Sequence, residues 1–212
     1  MSLQLIDRFH IQRRRELQSA LDAGRMRKRD ELTLLDPEQI RPLAIYGLLL
    51  LLVGGVFFAV LDLVVAILSL HTWWPTGLSW WSLLVWLVLN VAGYVLILPI
   101  HEAIHALAFL FWGGRPHFGA RLPLVLYCGA REQLFRRTPY LTIGLAPLVV
   151  ISLVGIILPF LSPPLAFYAF FALVGNLSGA VGDIWVVRRL LQLPAHVWVE
   201  DTETGYRAWE IA

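Results

Sequence analysis

The chain has 212 residues, of which 58% are hydrophobic, and its mean hydropathy is +0.69. Soluble domains contain roughly 45–50% apolar residues, so this composition excludes an ordinary soluble globular protein. The formal net charge is +2, nine of the 17 Lys and Arg residues lie within residues 1–42, and the single cysteine, Cys128, excludes an internal disulfide.

Residues 1–42 form a basic segment that precedes any long apolar run. This segment is predicted to be a cytoplasmic, amphipathic region, because a helix through residues 3–21 would gather its apolar side chains opposite several arginines. Such a helix could lie on the anionic inner leaflet or pack as a solvated helix. Its basic residues fit contact with lipid and membrane orientation, and nucleic-acid binding is not expected. The apolar side chains are Leu5, Ile6, Phe9, Leu17 and Leu21.

Four apolar stretches are long enough to cross a bilayer, whose hydrocarbon core of ~30 Å needs about 20 helical residues. They cover residues 43–70, 79–111, 140–161 and 165–187. Turn-forming residues separate the first stretch from the second at Pro75-Thr76-Gly77, and the third from the fourth at Ser162-Pro163-Pro164. The sequence therefore predicts a four-helix membrane domain over residues 43–189.

The distribution of Lys and Arg in the connections predicts how these spans are oriented. Basic residues occur before the first span, between the second and third, and after the fourth, whereas the other two connections contain none. Both termini are therefore expected in the cytoplasm, with the chain crossing the inner (plasma) membrane several times. An outer interfacial belt of tryptophans is expected at Trp73, Trp74, Trp80 and Trp81.

The polar segments complete the predicted fold. Residues 117–128 have the composition of extended chain, which could be a strand edge that holds an unfolded peptide, or a loop on the membrane surface. Residues 190–212 are predicted to be a cytoplasmic tail that forms a small hairpin around Thr202 to Gly205. The predicted fold class is thus an all-α polytopic membrane protein with a short extended or β element between spans two and three.

The second span contains the sequence His101-Glu102-Ala103-Ile104-His105. Positions i and i+4 share one face of a helix, so both imidazoles can reach one metal ion. Catalytic zinc sites commonly use three protein ligands and leave a position for water, and Glu102 could accept a proton from that water. Each ionisable residue inside a membrane costs ~2.5–3.5 kcal/mol on insertion scales. This cost favours a zinc site over a chance match, although manganese or iron would also suit these ligands.

A third ligand is expected on another element. Asp183 is favoured, because counting residues from the outer surface places it about 27 Å deep and His101 about 30 Å deep. Glu132, in the connection between spans two and three, is the rival. Asn176 lies seven residues before Asp183 on the same helical face. It could contact substrate or stabilise an oxyanion, or make an interhelical hydrogen bond.

These residues resemble a known family. The chain is similar to small bacterial membrane proteins described as "putative zincin peptidases", which are distantly similar to site-2 proteases. The resemblance covers roughly residues 80–190 and rests on the His101–His105 motif, on Leu145-Ala146-Pro147-Leu148-Val149, and on residues 176–183. It implies that His101, His105 and Asp183 bind zinc and that Glu102 is the catalytic base. Gly182-Asp183-Ile184 departs from the site-2 pattern, which has an Asp-Gly pair preceded by prolines.

Two functions follow as hypotheses. The first is hydrolysis of peptide bonds near the cytoplasmic face of the membrane, in a protein or peptide substrate that is itself associated with the membrane. The alternative is a metal-binding membrane scaffold or transport accessory protein that hydrolyses nothing. Replacing Glu102 with Gln separates them, since only a peptidase would lose turnover while keeping its metal.

Overall fold

The structure is a computed structural model that describes residues 3–9, 17–19, 21–68, 79–121, 125–202 and 204–211. Within these residues the chain forms seven strands and five helices of more than ten residues. In chain order they are β1 (Gln4–Ile6), β2 (Met26–Thr33), α1 (Pro37–Leu68), α2 (Trp80–Phe111), β3 (His117–Arg121), β4 (Val125–Gly129), β5 (Gln133–Arg136), α3 (Arg137–Leu161), α4 (Pro163–Gly179), α5 (Val181–Leu191), β6 (Trp198–Asp201) and β7 (Gly205–Ile211).

Four helical stretches in the described part of the chain are long and apolar enough to cross a membrane, which confirms the four predicted apolar spans. They are α1, α2, α3, and α4 together with α5. The first stretch begins at Pro37, before the apolar run, because proline suits the first turn of a helix and the Asp36 carbonyl accepts the first helical N–H groups. The last stretch is interrupted at Ala180, so Asp183 lies in the first turn of α5.

Residues 44–101 and 147–181 form one of two compact units, which consists of apolar parts of α1 to α4. Asn90 of α2 is fully buried in this unit. Its Nδ2 donates to the Phe167 carbonyl at 3.3 Å, and its Oδ1 accepts from the Phe171 amide at 2.9 Å. A side chain added at Gly175 would meet the Tyr94 ring, so this glycine lets α4 approach α2 closely.

The other compact unit, residues 1–43, 102–146 and 182–212, contains all seven strands described above. Five of them form a sheet in the order β1-β5-β6-β7-β2, in which β1 and β5 are parallel and the other neighbours antiparallel. β3 and β4 form a separate two-stranded sheet, in which Phe118 pairs with Cys128. The core of this unit packs Phe135 and Tyr206 of the larger sheet together with Phe109 of α2.

The predicted all-α fold is therefore wrong. The strands β1, β5 and β6 have only three or four residues each, which is too short for a clear alternating pattern. In β2, five of the eight residues are charged, so this segment does not show a strong strand pattern either. β2 pairs with β7, from Met26 opposite Ile211 to Thr33 opposite Gly205. Sheet pairing between segments so far apart in the chain leaves no local signal. The β element between the second and third spans and the C-terminal hairpin, by contrast, are confirmed.

The N-terminus also differs from its prediction. The helix expected over residues 3–21 is absent at Gln4–Ile6, where β1 pairs with β5 and Leu5 is 1% exposed. Residues 10–16 of that expected helix, and Trp73 and Trp74 of the expected tryptophan belt, lie outside the described residues. Trp80 and Trp81 are exposed at the start of α2.

Candidate metal centre and active site

α2 carries the two histidines and the glutamate of the sequence motif. His101 and His105 are one turn apart on this uninterrupted helix, so their separation is set by the helix itself. His105 is buried, with 7% of its surface exposed, and Glu102 and His101 are half-buried. The helix therefore presents two imidazoles and a carboxylate within five consecutive residues.

The structure brings His101, His105 and Asp183 together. One ligand atom from each residue lies within 4.8 Å of the other two, and His105 Nε2 is 3.5 Å from Asp183 Oδ1. Two imidazole nitrogens and one carboxylate oxygen are a donor set that suits catalytic zinc. Glu132 is not part of this group among the described residues; it is exposed and has a φ of 59° in the turn before β5.

Each histidine also has a partner for its second nitrogen. His105 Nδ1 is 3.0 Å from the Ile143 carbonyl oxygen, and His101 Nδ1 is 2.9 Å from Asn176 Oδ1. Because both oxygens can only accept, each Nδ1 must carry the proton, which leaves the Nε2 lone pair for a metal ion. Asn176 is 3% exposed. Of its two predicted roles, the structure shows the interhelical hydrogen bond.

Glu102 lies against the two-stranded sheet. Its Oε2 accepts a hydrogen bond of 2.6 Å from the backbone N–H of Cys128 in β4. This short hydrogen bond fixes the direction of the carboxylate. The segment predicted to be extended chain thus contacts the glutamate that the sequence motif places next to the first histidine.

A cavity of about 180 Å³ lies beside the carboxylate of Glu102. Glu102, His105 and Asp183 line it, together with Tyr140 and Asp201. Asp201 Oδ2 accepts from the N–H of the residue that follows β4, at 2.8 Å, and Asp201 Oδ1 accepts from the Tyr140 hydroxyl. Sequence reasoning missed both residues, since Asp201 lies in a tail with no recognisable motif and only the fold brings it to this cavity.

Cys128 lines the same cavity. Burial, together with the nearby carboxylates of Glu102 and Asp201, raises the pKa of its thiol to about 12. The thiol is therefore protonated at neutral pH, so Cys128 adds no further charge next to the carboxylates of Glu102 and Asp201.

Comparison with known proteins gives one match. A family model described as "Putative zincin peptidase" matches residues 94–198, which include the histidines, Glu102, Asn176 and Asp183. No curated protein and no solved structure match the chain.

Proposed function

Because the chain belongs, over residues 94–198, to the family described as "putative zincin peptidase", we propose that it is a membrane-embedded zinc metallopeptidase. It hydrolyses peptide bonds near the cytoplasmic face of the membrane. The observation that carries this proposal is the group of His101, His105 and Asp183, whose ligand atoms lie within 4.8 Å of one another. Glu102 directly follows His101 in the same helix and lines the same cavity as His105 and Asp183.

His101 and His105 would hold the ion through Nε2 and Asp183 through a carboxylate oxygen. A zinc ion bound there supplies Lewis acidity, which makes a peptide carbonyl and a water molecule more reactive. The protein's contribution is to orient the ligands. The Ile143 carbonyl and Asn176 Oδ1 each hold one imidazole ring by its Nδ1, and such partners tune the affinity of a metal site.

Glu102 is proposed as the general base. Its carboxylate accepts a hydrogen bond from the Cys128 N–H at 2.6 Å, and Glu102 lines the cavity. In this position it can take a proton from the attacking water and later give that proton to the leaving amine. The cavity is small, about 180 Å³, so few water molecules compete with the reacting one.

The membrane location is supported by the four apolar stretches and by the side chains that they expose. Along α1 and α2, Val53, Ile67 and Val95 are each more than half exposed, which would be costly in water. The positions of Lys and Arg support cytoplasmic N- and C-termini. The seven strands then lie in the unit that holds both termini, on the cytoplasmic side.

The substrate is proposed to be a protein or peptide in an extended conformation. β4 pairs with β3 along one edge. The Cys128 N–H of β4 donates to Glu102, so the edge of β4 that faces Glu102 borders the cavity. An extended peptide added to such an edge would present its backbone to the catalytic groups. A helical segment would have to unwind first.

The test uses purified protein in nanodiscs, loaded with zinc, with an unfolded casein and a fluorogenic peptide library as substrates. Glu102→Gln should keep one zinc ion per chain and lose turnover by about 10²–10⁴-fold, the usual contribution of a general base. Glu132→Gln is the matched control and should keep both the bound zinc ion and the wild-type turnover. A non-catalytic scaffold or transport accessory protein would bind zinc and leave every substrate intact, and this result would reject the proposal.

A further inference from the structure

Pro147 lies inside α3 and is fully buried. In an α-helix the N–H of residue 147 would donate to the carbonyl of residue 143. Proline has no N–H, so the Ile143 carbonyl has no intrahelical donor from that position. This carbonyl is the one that lies 3.0 Å from His105 Nδ1.

The same carbonyl thus lacks its usual helical donor and lies next to His105, and this determines how His105 is protonated. A buried carbonyl oxygen requires a hydrogen-bond donor, and His105, itself 7% exposed, supplies one. The bond in turn decides which nitrogen of His105 carries the proton, because the Ile143 oxygen cannot donate. With Nδ1 protonated, Nε2 keeps its lone pair on the side of Asp183, 3.5 Å from Oδ1.

We propose that Pro147 is a positioning residue that reserves the Ile143 carbonyl for His105 and thereby orients this histidine toward the metal ion. The inference rests on the metal site of the proposed function, but not on the peptidase reaction. Restoring an N–H at residue 147 gives the carbonyl a competing donor from its own helix. His105 must then share that oxygen with the N–H of residue 147, and its ring is less firmly held.

A second proline in α3 provides a matched control. Pro159 is also inside the helix and fully buried, and its missing N–H affects the carbonyl of Gly155. That carbonyl is 12 residues beyond Ile143 on the same helix, or about 18 Å along its axis. Replacing Pro159 therefore changes the same helix in the same chemical way, far from His105.

The experiment compares Pro147→Ala and Pro147→Val with Pro159→Ala and Pro159→Val. Each detergent-purified, metal-stripped protein is titrated with zinc against a chromophoric chelator, and its cobalt complex is examined by visible absorption. Both Pro147 variants should bind zinc about 10–100-fold more weakly, as loss of an outer hydrogen-bond partner typically causes, and should show an altered cobalt spectrum. Both Pro159 variants should match the wild type.

A backbone ester separates the missing N–H from the lost ring. Lactic acid placed at position 147 by cell-free translation has the side chain of alanine but no N–H, so it should restore wild-type zinc affinity. Failure of this rescue, equal losses in the Pro147 and Pro159 variants, or wild-type affinity in Pro147→Ala would each overturn the inference. Zinc binding that depends on Pro147 in a protein without peptidase activity would reject the peptidase and support this inference.

Discussion

The Tyr140 hydroxyl donates a hydrogen bond of 2.8 Å to Asp201 Oδ1 inside the cavity that Glu102, His105 and Asp183 line. The second oxygen of Asp201 accepts from the Ala130 N–H, also at 2.8 Å. One carboxylate from the C-terminal hairpin thus fixes both the start of α3 and the end of the two-stranded sheet. The C-terminal residues therefore support the cavity walls.

Asp201→Asn should lower the free energy of unfolding by about 1–3 kcal/mol, the cost of leaving a buried donor without its acceptor. Turnover should fall, while zinc stoichiometry should stay at one per chain because Asp201 is not among the ligands. Tyr140→Phe is the control that removes the hydroxyl donor and leaves the Ala130 bond in place, and it should cost about 1 kcal/mol. Denaturant titration and a turnover assay measure these effects; wild-type stability in Asp201→Asn would show that this contact does not matter.

Asp183→Ala and Glu132→Ala distinguish the two carboxylates that the sequence left as rival ligands. Asp183→Ala should lose stoichiometric zinc, because a carboxylate oxygen of Asp183 lies within 4.8 Å of a ring nitrogen of each histidine. Glu132→Ala should retain it. Elemental analysis of both detergent-purified variants beside the wild type decides the matter, and the opposite pattern would require a different metal site.

Asn176→Ala should weaken zinc binding by about 10–100-fold, because His101 loses the oxygen that holds its Nδ1. Asn90→Ala is a suitable control, since Asn90 is also a buried amide in the apolar unit but bonds backbone groups of α2 and α4. This control should lower stability and leave zinc affinity unchanged. Equal losses of affinity in both variants would mean that helix packing, and not the histidine contact, controls the site.

Asp30 should make stability depend on pH on the acid side. Burial alone would raise the pKa of Asp30, but hydrogen bonds from Arg189 and Tyr206 and the charge of Arg189 outweigh it and hold this pKa below its usual value. The folded-state pKa is thus lower than the unfolded one. The stabilisation is therefore complete above the unfolded value of about 3.9 and is lost as the pH falls through the folded value.

The corresponding experiment measures the free energy of unfolding between pH 7 and pH 2. It should fall below about pH 4, and it should fall less steeply in Asp30→Asn, which cannot titrate at this position. Asp36→Asn removes an exposed carboxylate near the end of the same strand and should retain the wild-type slope. A wild-type slope in Asp30→Asn would show that its bonds to Arg189 and Tyr206 are absent in solution.

Cys128 should react slowly with thiol reagents, because its pKa is raised from an ordinary value of about 9 to about 12 by burial and by the charges of Glu102 and Asp201. The metal-free protein should therefore contain about 10³-fold less thiolate than a free cysteine at the same pH. Since the chain has one cysteine, iodoacetamide labelling followed by mass measurement reports on it directly. Glu102→Gln should speed labelling, and Glu132→Gln should not.

The sequence alone was sufficient for the apolar spans and for the histidine motif. A span is recognised from the length of an apolar run, and the meeting of His101 with His105 follows from helical periodicity within five residues. Asp183 could be favoured because residue counting along two helices gives comparable depths. Each of these inferences depends on distances along the chain that a helix converts directly into distances in space.

Only the tertiary structure revealed the five-stranded sheet, the role of Asp201 and the bond from His105 to the Ile143 carbonyl. β2 and β7 pair across most of the length of the chain, and Asp201 reaches Tyr140 from 61 residues away. Pro147 marks the Ile143 carbonyl as one that lacks its usual intrahelical donor, but nothing local shows that His105 supplies the replacement. Such contacts depend on which surfaces pack together, and packing is decided by the whole chain and not by any one segment of it.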